Sequence, residues 1–318
     1  MNGSVIPETR KSESKAALRA ALQGASRKTL QGSLAYDSGM RIIRAAAALI
    51  TCLFLLGIGT PVTSTTAQQK SDAFVPPTAL ELAIEPMAPI GDSVWVAKIG
   101  EGLWVFTATG AISSGAVFPA NGMLLETKTG SVVVDPGWTA AQSKALMRWA
   151  RETLHRPVAK AVVTHSHSDR MGGIEPLAEA GIPVLALGRT RELAQKAGHT
   201  ILPIAVAELE TKPYRDPDGF ELYFPGAGHT PDNIVVNFPA HFLVFGGCLV
   251  KSVTSADLGN LADAVMTEYP GSIERVMRAY PKRRIVVPGH GSIAGDPLAH
   301  TLKLLRDLGA ATPPARER

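Results

Sequence analysis

Short apolar runs bounded by glycine, polar and turn residues mark the first part of the chain's body. Ser93–Ile99 and Leu103–Thr107 read as strands around Gly100-Glu101-Gly102, and Met123–Lys128 with Ser131–Asp135 as a hairpin. Residues 108–121 (ATGAISSGAVFPAN) read as a mobile, partly apolar loop. From Thr139 to Leu154 the apolar spacing becomes helical, with Thr139 as the cap. Val158–Thr164 is a short buried strand. A helix over 173–180, a strand Val184–Leu187 and a helix Thr190–Ala197 follow. The second half repeats this order. Leu222–Phe224, Ile234–Phe238 and Phe242–Phe245 read as strands, Ser272–Tyr280 as a helix, Arg284–Val287 as a strand and Leu298–Leu308 as a helix. Strands come first in each half and helices after them. Two packed sheets with helices outside satisfy that order.

The N-terminal region has a different pattern. Arg41 and Arg44 precede an apolar run, Ala45–Gly59, and Thr65-Thr66-Ala67 then offers small residues for cleavage. This order predicts a cleavable export signal over 40–67 and a periplasmic product. The run is short for a permanent membrane helix, which needs about 20 residues. Residues 1–39 form a polar extension of uncertain status. Residues 68–318 are the expected catalytic domain, and 68–92, with Pro76, Pro77, Pro86 and Pro89, its extended lead-in.

Charge sharpens this division. The chain of 318 residues carries a net +4. Eight of its 32 Lys and Arg lie in residues 1–67, against three of its 28 acids, so the remainder is nearly neutral. Nothing there attracts a phosphate backbone, and nucleic-acid binding is excluded. No membrane contact is expected after signal cleavage, and the product is expected to be a monomer. Cleavage after Ala67 would leave Cys248 as the single cysteine. An unpaired thiol in an exported protein is either core packing or a metal ligand.

Candidate chemistry clusters at strand ends. Thr164-His165-Ser166-His167-Ser168-Asp169-Arg170 follows the apolar Ala161-Val162-Val163. Two His two residues apart can point the same way from a strand end, with the Asp reaching in from the turn. Imidazole and carboxylate both suit Zn²⁺. Gly226-Ala227-Gly228-His229, Phe245-Gly246-Gly247-Cys248 and Val287-Pro288-Gly289-His290-Gly291 repeat the form, a ligand type set beside glycine. Together they offer two sets of three ligands with room for water, the mark of catalytic zinc. The other histidines, His155, His199, His241 and His300, lack such settings.

These segments resemble the class B (metallo) beta-lactamases, and subclass 1 in particular. The resemblance rests on His165-Ser166-His167-Ser168-Asp169, Pro225 to Asn233, Gly246 to Lys251, Gly259-Asn260-Leu261-Ala262-Asp263-Ala264 and Pro288-Gly289-His290-Gly291. It spans about residues 90–308. It implies a four-layer αββα sandwich with two Zn²⁺ at one edge of the sheets. It assigns His165, His167 and His229 to the first ion, and Asp169, Cys248 and His290 to the second. Lys251 is implied to bind the substrate carboxylate and Asn260 the lactam carbonyl, with Asp169 also orienting the attacking water. Residues 108–121 would be the flap. Ser166 stands where a bulkier residue is common, and residues 1–39 match nothing in the family.

The implied activity is that of a hydrolase of cyclic amides. Zinc-activated hydroxide would open the beta-lactam ring of penicillins, cephalosporins and carbapenems without a covalent acyl-enzyme, conferring beta-lactam resistance. A serine mechanism lacks its motifs: Ser12-Glu13-Ser14-Lys15 lies in the leader and has no companions. Two rivals stand beside this reading. One is a thioesterase or lactonase of the same fold, which would carry His at the position of Arg170 and Asp at that of Cys248. The other is a non-catalytic periplasmic zinc-binding protein, which would need neither Lys251 nor Asn260.

Overall fold

The computed structural model describes residues 83–112 and 116–311. The extension 1–39, the signal 40–67 and the lead-in as far as residue 82 lie outside the described residues. The first sheet has eight strands in chain order: β1 (Ala88–Gly91), β2 (Val94–Gly100), β3 (Leu103–Ala111), β4 (Val117–Thr127), β5 (Gly130–Val134), β6 (Val158–Val162), β7 (Val184–Ala186) and β8 (Ile204–Ala205). The strands β1 to β5 form an antiparallel meander, and β5 to β8 run parallel. Helices supply the crossovers: α1 (Ala140–Glu152), α2 (Ser168–Met171), α3 (Ile174–Glu179) and α4 (Gly188–Lys196). The second sheet holds β9 (Tyr214–Arg215), β10 (Glu221–Tyr223), β11 (Val235–Phe238), β12 (Leu243–Gly247) and β13 (Ile285–Pro288), in the order 13-12-11-10-9. Its β12 and β13 are parallel and the rest antiparallel. The last helices are α5 (Tyr269–Ala279) and α6 (Pro297–Ala311).

Period-two alternation decides the layers. Leu103, Val105, Val132, Val134 and Val162 of the first sheet meet Leu222, Val236, Leu243, Phe245 and Val287 of the second in one buried core. The intervening residues face outward. Phe106, Val133 and Ala161 pack under Leu146 of α1, Met171 of α2 and Leu177 of α3. Val235, Val244 and Val286 pack under Ile273 of α5 and Leu302 of α6. Three cores make four layers, the expected αββα sandwich. Burying each branched side chain contributes about 1.5–3 kcal/mol. Thr139 caps α1 as read from sequence, accepting a bond from the Gln142 amide at 3.3 Å.

One segment departs from the sequence reading. Most of 108–121 is hairpin rather than loop. Strand β3 continues to Ala111 and β4 begins at Val117, in register from Ala108 opposite Ala120 to Ala111 opposite Val117. The Gly- and Ser-rich composition hid this, because small residues weaken the alternation that marks a strand. Gly110 has a packing reason: a Cβ there would overlap the Trp138 ring. Several elements of two to four residues, α2, β8 and β9 among them, are too short to show any periodicity. Among the described residues, no helix is long and apolar enough to cross a membrane.

Candidate metal centre

Parallel strands that end level bring their next residues together. Val134 pairs with Val162, so Asp135 after β5 lies beside Thr164 after β6. The Asp135 carboxylate accepts from the Thr164 amide and hydroxyl, both at 2.8 Å. Asp135 has φ 56°, a left-handed conformation that Asp tolerates better than most side chains. In the second sheet Gly247 pairs with Pro288, which sets Cys248 beside Gly289 and His290. Gly247 also has φ 53°, and a Cβ on it would come 2.9 Å from the Thr164 hydroxyl. The loop between β10 and β11 adds His229. Ligands of open α/β sheets sit at such strand ends.

His165, His167 and His229 form one cluster. Their ring centroids lie 4.7, 5.2 and 5.3 Å apart, nearly edge to face. Their candidate ligand atoms all fall within 4.8 Å of one another. His165 Nε2 and His229 Nδ1 are buried without a hydrogen-bond partner. An unsatisfied buried polar atom costs about 1–3 kcal/mol, and a cation held by this cluster would satisfy the His165 nitrogen. Burial holds the pKa of each ring well below the ordinary 6.5, so both are neutral and able to ligate.

Cys248, Asp169 and His290 form the second cluster. The sulfur lies 3.0 Å from His290 Nε2 and 3.3 Å from Asp169 Oδ2, and these two atoms are 3.3 Å apart. His290 Nδ1 lies 2.6 Å from the Pro119 carbonyl, so it carries the proton of the neutral ring and leaves Nε2 for a ligand. Burial opposes a charge on His290, yet the facing Cys248 and Asp169 push its pKa up to about 9. The set attracts positive charge. The two clusters abut: candidate ligand atoms of His165, Asp169 and Cys248 also fall within 4.8 Å of one another. All six His, Asp and Cys residues singled out from the sequence meet at this one edge.

Sequence reading missed what lies beneath. Arg170 is fully buried. It donates to Cys248 Sγ at 2.9 Å, the Asn121 carbonyl at 2.7 Å and the Gly289 carbonyl at 2.9 Å, and pairs with Asp169 at 3.0 Å and Asp135 at 3.3 Å. Burial would raise the pKa of Asp169, but Arg170, His290 and His165 together outweigh it and hold the carboxyl well below its usual range. Burial dominates at Asp135, which is pushed up to about 6. Asn121 spends its whole side chain on this floor, accepting from Thr107 and donating to the carbonyls of Pro288 and Gly291. An Arg on a four-residue helix looks like a solvated one in sequence. Asp135, directly after an unbroken apolar strand, was the available signal.

Lys251 and Asn260 lie on the segment leading to α5. The Lys251 side chain is buried, which lowers its pKa, while Cys248 and Asp169 pull it back up. Asn260 is exposed, and its Oδ1 accepts from the Ala262 amide at 3.0 Å. That bond occupies the oxygen and leaves the amide NH₂ to donate.

The profile of the Metallo-beta-lactamase superfamily matches residues 115–290. The chain is 37% identical over 257 residues to a type 2 metallo-beta-lactamase of Bacillus cereus, covering 80% of this chain and 96% of that one. The chain belongs to the metallo-beta-lactamase superfamily. A Bacteroides fragilis metallo-beta-lactamase is 30% identical over 226 residues, 70% of this chain and 90% of its own. Solved structures agree with the sandwich. The metallo-beta-lactamase of Pontibacter korlensis superposes with TM-score 0.62 at 36% identity, covering 67% of this chain and 99% of that one. One from Pseudomonas aeruginosa, solved in a mono-zinc form, gives 0.64 at 30% identity, with 69% and 98% covered. Metallo-beta-lactamase membership accounts for a metal-ligating edge built from loops between the sheets.

Proposed function

We propose that the chain is a zinc-dependent beta-lactamase that opens penicillins, cephalosporins and carbapenems. The observation that carries this reading is the pair of three-donor sets side by side at one sheet edge, with two buried imidazole nitrogens left unpaired. His165, His167 and His229 would hold one Zn²⁺, and Asp169, Cys248 and His290 a second. Bound there, zinc supplies Lewis acidity and lowers the pKa of a coordinated water to about 7.

The protein's own groups do the rest. Lys251 offers a positive charge for the carboxylate shared by these antibiotics. Asn260, its oxygen already occupied, turns its NH₂ to the lactam carbonyl and stabilises negative charge developing there. Asp169, held as a carboxylate by Arg170, accepts a hydrogen bond from the attacking water and so orients it. No side chain is needed as a covalent nucleophile. The signal at 40–67 directs the product to the periplasm, where it acts as a monomer.

Hydrolysis of a chromogenic cephalosporin tests this. It should vanish with a chelator and return with Zn²⁺. Activity that survives exhaustive chelation would refute zinc dependence. Thioester or lactone hydrolysis without beta-lactam hydrolysis would favour another hydrolase of the same fold.

A further inference from the structure

The segment 251–268 carries both proposed substrate contacts, Lys251 and Asn260, and its attachments are few. The Lys251 amide donates to Thr301 at 2.8 Å, and the His300 ring lies 2.9 Å from the Ser255 carbonyl. Leu258 is buried in the outer core, and the Val265 amide donates to the Gly228 carbonyl at 2.8 Å. Between residues 256 and 264 the other bonds are local: Gly259 to Asp257, Ala262 to Asn260 and Ala264 to Leu261. Among the described residues, the hydrogen bond that leaves this stretch joins Asp263 Oδ2 to His167 Nε2, at 3.0 Å.

That contact acts in two directions. A carboxylate only accepts, so Nε2 of a neutral His167 carries the proton and the lone pair stays on Nδ1. It also ties the stretch bearing Asn260 to a ring of the three-His set. His290, in the other set, has its outer nitrogen on the Pro119 backbone carbonyl and owes nothing to Asp263.

We propose that Asp263 is a positioning residue that couples loading of the three-His set to the placing of Asn260. It selects the His167 tautomer able to ligate. An ion on His167 in turn fixes the ring that holds residues 256–264, and by linkage the two effects are reciprocal. The inference rests on the zinc reading above and adds to it a partner outside the ligands.

Asp263 is exposed, with a side-chain accessibility of 59%, so its variants should fold. Purified wild-type, Asp263→Ala and Asp263→Asn chains are titrated with Zn²⁺ against a chromophoric chelator. They are also titrated with Co²⁺, whose thiolate charge-transfer band reports only the Cys248 set. In Asp263→Ala one ion should bind about tenfold more weakly, the low end for an outer-shell partner. The thiolate band should appear at the wild-type Co²⁺ concentration. Asp263→Asn keeps an acceptor oxygen and should stay within about threefold of wild type. Amide hydrogen exchange over 256–264 should slow on adding Zn²⁺ to wild type and to Asp263→Asn, but not to Asp263→Ala. Wild-type affinity for both ions in Asp263→Ala would overturn the proposal. So would equal weakening of both ions, or exchange in wild type that ignores Zn²⁺. A wild-type chain that binds no Zn²⁺ would instead overturn the metal reading beneath it, and the proposal with it.

Discussion

Replacing Arg170 with methionine removes a charge from the interior while keeping most of its volume. Arg170 is fully buried and compensates Asp169 at 3.0 Å, Asp135 at 3.3 Å and the Cys248 sulfur at 2.9 Å. Breaking a buried ion pair from one side costs about 3–5 kcal/mol. In a domain of this size that lowers Tm by roughly 6–20 °C. The effect should be read in EDTA by circular dichroism, because Zn²⁺ on the Asp–Cys–His set supplies positive charge and should narrow the deficit. Its pH dependence follows from the acids. Arg170 now holds Asp169 well below its ordinary 3.8. Without Arg170 the strongest counterweight to burial is gone, and the folded pKa rises. A carboxylate held low stabilises the fold above its unfolded pKa and loses that contribution as pH falls, so raising its folded pKa costs most at neutral pH. The deficit should therefore be largest at pH 7 and shrink toward about pH 4. A metal-free Arg170→Met protein melting within about 2 °C of wild type at pH 7 would refute the reasoning. So would a deficit that stays constant on acidification.

Three other outcomes are expected. Cys248→Ser should weaken binding of the second Zn²⁺ and spare the first, because a hydroxyl is a poor ligand beside a thiolate; metal titration with unchanged affinities would count against the Asp–Cys–His set. Lys251→Ala should lower kcat/KM for a penicillin and a carbapenem by about ten- to a hundredfold, the worth of a charge-assisted hydrogen bond of roughly 1.5–3 kcal/mol. Its zinc content should not change, and wild-type KM values for both substrates would remove the anchoring role. Intact mass of the exported protein should correspond to cleavage near Ala67, and retention of residues 40–67 would contradict the signal reading.

Local pattern alone determined much of this protein. The short apolar runs of Leu103–Thr107 and Ser131–Asp135, bounded by glycine and turn residues, and helical spacing after Thr139, are properties of neighbouring residues, so the strands and α1 were legible without a structure. The six His, Asp and Cys residues were legible for a similar reason. Each follows an apolar strand or a glycine turn, and that setting is local. What only the tertiary structure decided was which groups meet across layers. Arg170 reads as an ordinary charge after the His165–Asp169 run until Cys248 and Gly289, from the other sheet, close over it. Asn121 sits in a stretch that reads as loop, because small residues mask the strand and its partners, Pro288 and Gly291, lie more than 160 positions away. Asp263, known from sequence only as part of the Gly259–Ala264 stretch, gains a role when the fold sets it against His167, 96 residues earlier. Ligands are marked by their own neighbours, whereas the groups that orient them are chosen by proximity in space, and single-sequence periodicity carries no information about that.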